Sequence, residues 1–365
     1  MEFIRVEDCC EILDSQRKPV TESERVPGMY PYYGANGMQG TINQYIFDDK
    51  LVLVAEDGGH FGSKTKPIAY LVNGKCWVNN HAHVLRAKKG FLAEYICYSL
   101  MFYKIEGYIN GATRQKLTQA ALRKLLIPKR SVEYQKAIVD RLDLVRYIIE
   151  KRQNIINELD LLIKSRFVEL FGDVVLNTLN WPLVKLSDIA EYRIGLTYKP
   201  EAVSTSGTAV LRSGNIQNSQ LCYEDTIYVN SKVESKLLLK KHDILMCARN
   251  GSQSLVGKVA LIENDISNTT YGAFMMAISS KYYVYLFEYF RSRAFRRLIS
   301  VGSTTTINQV TTRMLNSIVI PLPDMDTINR FSLYHSQINK LKSDVQKSID
   351  ETQLLMDSLM QEYFG

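Results

Sequence analysis

The residues QNIINELDLLIKSRFVELFG (153–172) return at the end of the chain as QKSIDETQLLMDSLMQEYFG (346–365), with nine of twenty positions identical. One constant offset carries the match back without a gap to Pro128 and Pro321, a span of forty-five residues. Upstream the echo continues with small changes of length. GATRQKLTQAALRKLLIP (111–128) answers GSTTTINQVTTRMLNSIVIP (302–321), and an apolar run precedes each, FLAEYICYSLMFYKI and YVYLFEYFRSRAFRRLI. Even the starts agree loosely, VEDCCEI near residue 6 with LSDIAEY near 186. The chain is two copies of one plan, a globular part followed by a helix, and the period is too long for a solenoid.

Each copy ends in a segment that reads as a long helix. From about residue 131 to 170 there is no Gly or Pro, and Ile138, Leu142, Val145, Ile149, Ile156, Leu159 and Ile163 recur at steps of three and four, interrupted by Arg152. The second copy gives Ile338, Leu341, Val345, Ile349, Thr352, Met356 and Leu359. At 1.5 Å per residue each helix would be roughly 60 Å long. A helix with one apolar seam needs a partner, and its own duplicate is at hand, so an antiparallel pair with pseudo-twofold symmetry is expected. Apolar runs that enter Gly-containing turns, KLVLVAEDGG (50–59) and KKHDILMCARNGS (240–252), predict short strands in the globular parts. The expected fold class is therefore mixed α/β (α+β). Two globular domains, 1–130 and 173–323, are each followed by a long helix, 131–172 and 324–365.

A length of 365 residues suits two domains, and 46% hydrophobic with 23% charged residues is a globular composition. No apolar run approaches the roughly 20 residues of a membrane span, and the N-terminus MEFIRVEDCCEIL is acidic where a signal peptide would be basic, so a soluble cytoplasmic protein is expected. The six cysteines show no C-x-x-C pair and no zinc or disulfide spacing. Net charge is +7, and residues 112–152 alone hold eleven Lys or Arg against four acids, a surplus equal to that of the whole chain. That concentration favours an anionic partner, although a solvated helix face explains part of it.

Catalytic motifs are missing. There is no phosphate loop, no G-x-G-x-x-G after a strand, no G-x-S-x-G elbow, no H-E-x-x-H, and no N-P-P or D-P-P motif ending in an aromatic, as an amino-methyltransferase would carry. His81 and His83 share one face of a strand but lack the further ligands a metal would need. Asp48, Asp49, Glu56 and Asp57 with Lys64 and Lys66 loosely suggest a nuclease cluster, which the second copy does not repeat. What both copies keep, just before the Ile-Pro step, is a donor-rich segment: Arg114, Gln115 and Lys116 in one, and Thr304, Thr305, Thr306, Asn308 and Gln309 in the other. Such side chains suit base edges and phosphates. Arg291, Arg293, Arg296 and Arg297 are expected to add a basic set on one helix.

With YPYYGANGMQG, LVLVAEDGG and WVNNHAHVLRA in the first copy, and WPLVKLSDIAEYRIG, LRSGNIQ, DILMCARNGS and GSTTTINQVTTRMLNSIVIPLP in the second, the chain resembles the DNA-specificity subunit of Type I restriction-modification systems. The resemblance implies two target-recognition domains spaced by antiparallel coiled-coil helices, each domain reading one half of a bipartite double-stranded DNA site. It implies two modification (methyltransferase) subunits as partners, with restriction subunits in the full complex. It places S-adenosylmethionine, ATP and Mg on those partners, with no cofactor, metal or catalytic residue in this chain. The expected DNA contacts are Tyr33, Asn36, Lys64, His81, His83, Arg114, Gln115 and Lys116 in the first domain. In the second they are Arg212, Ser213, Asn215, Arg249, Asn250, Ser303, Thr304, Thr305 and Asn308. A DNA methyltransferase or nuclease acting alone is the alternative.

Overall fold

From Val132 to Phe171, and again from Met325 to Phe364, the chain forms one uninterrupted 40-residue helix. Each starts on a side-chain cap at the same place in the repeat. Ser131 Oγ accepts from the Tyr134 N–H at 3.3 Å, and Asp324 Oδ1 from the Thr327 N–H at 2.8 Å. The first helix stops because Gly172 turns left-handed (φ 72°), and a side chain there would collide with the Thr178 hydroxyl, 2.5 Å from an added Cβ. This computed structural model describes residues 2–111, 115–301 and 308–365. It divides the chain into two compact units, Met1–Asn154 with Gln346–Gly365, and Ile155–Val345. Both long helices therefore contribute one half to each unit.

Within the first unit the helix halves run antiparallel. Arg141 Nη1 donates to Tyr363 Oη at 3.0 Å, while Arg152 Nη1, eleven residues on, donates to Ser348 O at 2.9 Å, fifteen residues back. Ile138, Leu142 and Val145 close on Met356 and Tyr363. The second unit repeats the antiparallel arrangement: Lys342 Nζ meets Asp160 Oδ1 at 2.7 Å, and Phe167 packs on Phe331 with ring centroids 5.6 Å apart. The seam departs from the expected one at a single step. Leu341 is 51% exposed, and the buried stripe of the second helix instead runs through Phe331, His335, Ile338 and Ile349. Lys342 takes the seam position beside it, its stem covered and its charge matched by Asp160.

The globular part of the first unit is built on a six-stranded sheet, in the order Cys10–Ile12, Ala82–Ala87, Phe47–Ala55, Ala69–Val78, Tyr30–Gly34, Gly37–Ile42. All neighbours are antiparallel except Tyr30–Gly34 against Ala69–Val78. The run Leu51 to Ala55 is apolar on both faces because both are buried: Val52 and Val54 pack with Ile96 and Leu100 of the helix Ala93–Met101, while Leu51 and Leu53 cluster with Leu13, Phe47, Val72 and Val84.

In the second unit the corresponding sheet is split. Glu191–Ile194, Met275–Ser279, Ile244–Cys247 and Val259–Leu261 form one sheet, and Val203–Ser204, Ile227–Val229, Thr208–Leu211 and Thr269–Tyr271 form another. The long strand Ala69–Val78 is here two short ones, parted by residues 262–268, with Asn268 left-handed at φ 47°.

The repeat is visible contact by contact. Phe3–Arg5 pairs with Leu126–Pro128, and Leu183–Lys185 with Val319–Pro321. The Val6 N–H donates to Leu125 O, and the Leu186 N–H to Ile318 O. Thr118 caps the short helix Gln119–Lys124, and Thr311 caps Thr312–Ser317. Tyr95 Oη donates to Pro128 O at 2.8 Å, and Tyr285 Oη to Pro321 O at 2.5 Å. The repeated Phe-Gly ends meet these tyrosines: Phe364 lies 5.4 Å from Tyr95 in the first unit, and Phe171 lies 4.9 Å from Tyr285 in the second.

Phe167, buried against Tyr285, Phe171 and Phe331, is a sensitive test of this packing. Phe167→Ala should cost about 3–5 kcal/mol. A drop in urea midpoint equivalent to less than about 1 kcal/mol would show that the aromatic cluster does not hold the second unit together.

Candidate nucleic-acid interface

In the second unit three chain segments converge beyond the sheet ends. Strand Thr208–Leu211 runs into the turn at Arg212, strand Ile244–Cys247 into the loop at Arg249, and the third segment arrives at Asn308. The Val310 N–H donates to Ala248 O at 2.7 Å, Arg249 bridges Gln309, and Asn308 Nδ2 donates to Gly251 O at 3.2 Å. Asn250 Nδ2 reaches Ser213 Oγ at 3.1 Å and closes the set. Arg212 and Arg249 are exposed, and Arg212 Nη2 donates to Asp225 O at 3.1 Å. Arg249 lies over Phe274, 5.4 Å from the ring centroid, and Phe274 is itself 61% exposed. Among the described residues no carboxylate pairs with the Arg249 guanidinium.

Two expectations fail here. Asn215 is buried, its Oδ1 accepting from the Arg212 N–H and its Nδ2 donating to Cys222 O, so it shapes the turn and has no free edge for DNA. The four arginines expected on one helix lie on two, Tyr283–Arg291 and Arg293–Val301, broken at Ser292. Arg291 is paired with the buried Glu288, and Arg296 Nη1 donates to Val256 O, which leaves Arg293 and Arg297 as the exposed basic pair. Ser303, Thr304 and Thr305 lie outside the described residues, as does Arg114 of the first unit.

The first unit carries the same backbone frame with other side chains. The Leu117 N–H donates to Glu56 O at 2.8 Å, Asp57 bridges Lys116, and Asn36 Nδ2 donates to Gly58 O at 2.9 Å. His81 Nδ1 meets Asp57 Oδ1 at 2.6 Å. Gln115, Lys116 and Lys64 are exposed, while Tyr33 is half-buried against Tyr70. His83 is fully buried, which corrects its reading as a DNA contact: Nδ1 meets Asp14 Oδ2 at 2.6 Å and Nε2 meets Leu117 O at 2.8 Å.

Beneath this surface lies a charge network that the sequence did not reveal. Glu56 is gripped by Arg17 at 2.6 Å and Lys116 at 2.8 Å, and Gln119 Nε2 donates to Asp14 Oδ2 at 3.0 Å. Asp14, Glu56 and His83 offer ligand atoms within 4.8 Å of one another. Two carboxylates are already balanced by two cations, however, so a divalent ion would have to displace Arg17 or Lys116. The network instead fixes the short strand Lys116–Leu117 and the start of the helix Gln119–Lys124. Asp14 and Gln119 are 105 residues apart, and no local pattern links them. The suggested nuclease cluster does not assemble either. Asp49, paired with Arg86, and Glu56 flank opposite ends of the strand Phe47–Ala55, about 23 Å apart at 3.3 Å per residue.

Burial opposes ionisation of Asp14 and of Glu56. It is outweighed by hydrogen bonds from His83, the Val84 N–H and Gln119 on Asp14, and from Lys116 and Arg17 on Glu56, so both carboxyls sit below their usual range. A depressed folded value gives stability that is present above the unfolded carboxylate range, about pH 4, and lost as pH falls through the folded values. Urea midpoints should therefore fall steeply below about pH 4, and Asp14→Asn should flatten that fall. An unchanged acid limb in the variant would count against the network.

The family model for the Type I restriction modification DNA specificity domain matches residues 1–161 and again 179–356. A putative type I restriction enzyme specificity subunit of Haemophilus influenzae is 35% identical over 143 residues, 39% of this chain and 37% of that protein. The StySPI specificity subunit of Salmonella potsdam is 25% identical over 154 residues, 40% of this chain and 33% of that protein. The chain thus spans about a third of the length of these curated relatives. Among solved structures, the S subunit of a Type I restriction-modification system from M. genitalium aligns over 100% of this chain and 96% of its own, with TM-score 0.59 and 15% identity. A chain from a structure on complex assembly and conformational transition of the type I R-M system aligns over 100% and 97%, with TM-score 0.54 and 15% identity. These two show the fold. With both copies of the repeat matched by one family model, the chain belongs to the Type I restriction-modification DNA-specificity family.

Proposed function

We propose that this chain is the sequence-specific DNA-recognition subunit of a Type I restriction-modification complex. Each globular domain reads one half of a bipartite duplex site, and the long helices set the spacing between the halves. The observation that carries this is the repeated frame: both domains join a post-strand loop to a late segment by the same backbone hydrogen bonds, draw a turn onto them through an asparagine side chain, and dress that frame with different polar side chains. Conserved packing would suffice for a scaffold. Divergent donors on a shared frame are what two readers of two different half-sites require.

The chain itself supplies the address and no chemistry. Two modification subunits would bind S-adenosylmethionine and methylate adenine, and restriction subunits would use ATP and Mg to cut. The local surplus of Lys and Arg supplies the phosphate attraction. No helix among the described residues is long and apolar enough to cross a membrane.

The chain combined with its modification subunits should bind one bipartite duplex, with log affinity falling linearly against log salt at about −0.9 per phosphate contact. Arg212→Ala should weaken binding by about 1–3 kcal/mol through the second half-site alone, and Gln115→Ala through the first alone. Equal damage to both halves by either variant would contradict the two-reader arrangement. Labelled S-adenosylmethionine offered to the chain alone should leave duplex DNA unlabelled; label in the DNA would favour a methyltransferase acting by itself.

A further inference from the structure

The two frames can be laid on each other residue by residue. The Glu56 N–H donates to His81 O at 2.8 Å, and the Ala248 N–H donates to Phe274 O at 2.9 Å. Leu117 N–H to Glu56 O answers Val310 N–H to Ala248 O, and the Asp57–Lys116 bridge answers Arg249–Gln309. Asp57 and Arg249 therefore hold one position of the frame, and His81 and Phe274 another. The two positions touch in both domains, but their chemistry is inverted. In the first, an acid holds an imidazole at 2.6 Å. In the second, an aromatic ring props a guanidinium at 5.4 Å.

Packing does not force this choice. Arg249 and Phe274 are exposed, and the His81 side chain is 38% exposed. The exposed face of Phe274 offers its ring to the guanidinium as a cation–π support. A guanidinium stacked on a ring, with its backbone N–H fixed to Phe274 O, loses little freedom when it forms two parallel hydrogen bonds. Across a major groove that fork fits guanine O6 and N7. Among the described residues an imidazole, and not a guanidinium, stands at the same place in the first domain. A carboxylate only accepts, so Asp57 pairs with an N–H at Nδ1 of His81, and in that tautomer Nε2 is the acceptor of the ring. An acceptor matches the exocyclic amino group of adenine or cytosine.

Resting on the DNA-recognition reading above, we propose that positions 57/81 and 249/274 are the specificity-determining pair of the two domains. Arg249, supported by Phe274, reads guanine in one half-site. His81, oriented by Asp57, reads an adenine or cytosine amino group at the corresponding place of the other. Phe274 and Asp57 are positioning residues.

The test is selection of duplexes from a randomised pool at pH 8 by the chain assembled with its modification subunits, followed by sequencing. The unaltered protein should enrich a bipartite motif with a guanine fixed in one half by about tenfold or more. Arg249→Gln should replace that guanine by adenine or lose the preference, since Gln pairs with adenine N6 and N7. Arg249→Lys should keep guanine with weaker discrimination. His81→Phe should relax an adenine or cytosine preference in the other half only. Thermal melts of the variants should match the parent, because the altered side chains lie at the surface. The proposal is overturned if Arg249→Gln retains the guanine, if it weakens all sequences alike as a phosphate contact would, or if the Arg249 and His81 variants alter the same half. Failure of the unaltered protein to enrich any bipartite motif would overturn the DNA-recognition reading as well.

Discussion

A 40-residue helix with a single apolar seam cannot stay unaccompanied in water, and this chain makes two of them. Each unit solves the problem in the same way, by laying half of one helix antiparallel on half of the other and then seating the globular part on the pair. Burying the seam therefore decides more than helix pairing. It brings the end of the second helix to the first domain, where Phe364 meets Tyr95, and the end of the first helix to the second domain, where Phe171 meets Tyr285. Each tyrosine also donates its hydroxyl to the carbonyl of the Pro that precedes a long helix. One aromatic contact thus joins a domain, the start of one helix and the end of the other.

Polar groups sharpen the seating that apolar area alone would leave loose. Gln135 is fully buried in the first unit, accepting from the Leu92 N–H and donating to Gly90 O and Arg130 O. Tyr98 donates to Asp143 at 2.5 Å and accepts from Arg146, tying the helix Ala93–Met101 to the long helix at a fixed register. The second unit uses a different set for the same purpose. Burial alone would raise the Glu288 carboxyl, but His335 and Arg291 hold it below its usual range, and Asp160 and Lys342 extend the network across the helix halves. Directional bonds of this kind set an angle as well as an attraction, which matters for a domain that must face a groove.

Above that conserved seating, the reading surfaces have diverged freely. The backbone frame is repeated hydrogen bond for hydrogen bond, so its geometry survives changes of side chain. Asp57 in one copy and Arg249 in the other occupy one place with opposite charge. Such a reversal would be costly in a core. At the edge of the frame, where Asp57 is partly exposed and Arg249 exposed, it alters what the surface can bind.

The duplication, the two long helices and the mixed α/β character were legible in the sequence, because each rests on a pattern along the chain: internal repetition, seam periodicity, and long stretches without Gly or Pro. The short strands could be read where an apolar run met a glycine turn. Other features depend on residues brought together from far apart. That His83 and Gln119 are partners of the buried Asp14 follows from contacts across 69 and 105 residues that no periodicity encodes. Leu341 fits the heptad by spacing, yet it lies in water, while His335 is buried against Glu288. Sequence by itself determined the elements and their repetition, since these follow from propensity and pattern along the chain. Only the tertiary structure decided which polar side chains are spent inside and which remain on the rim, since burial is settled by neighbours remote in sequence.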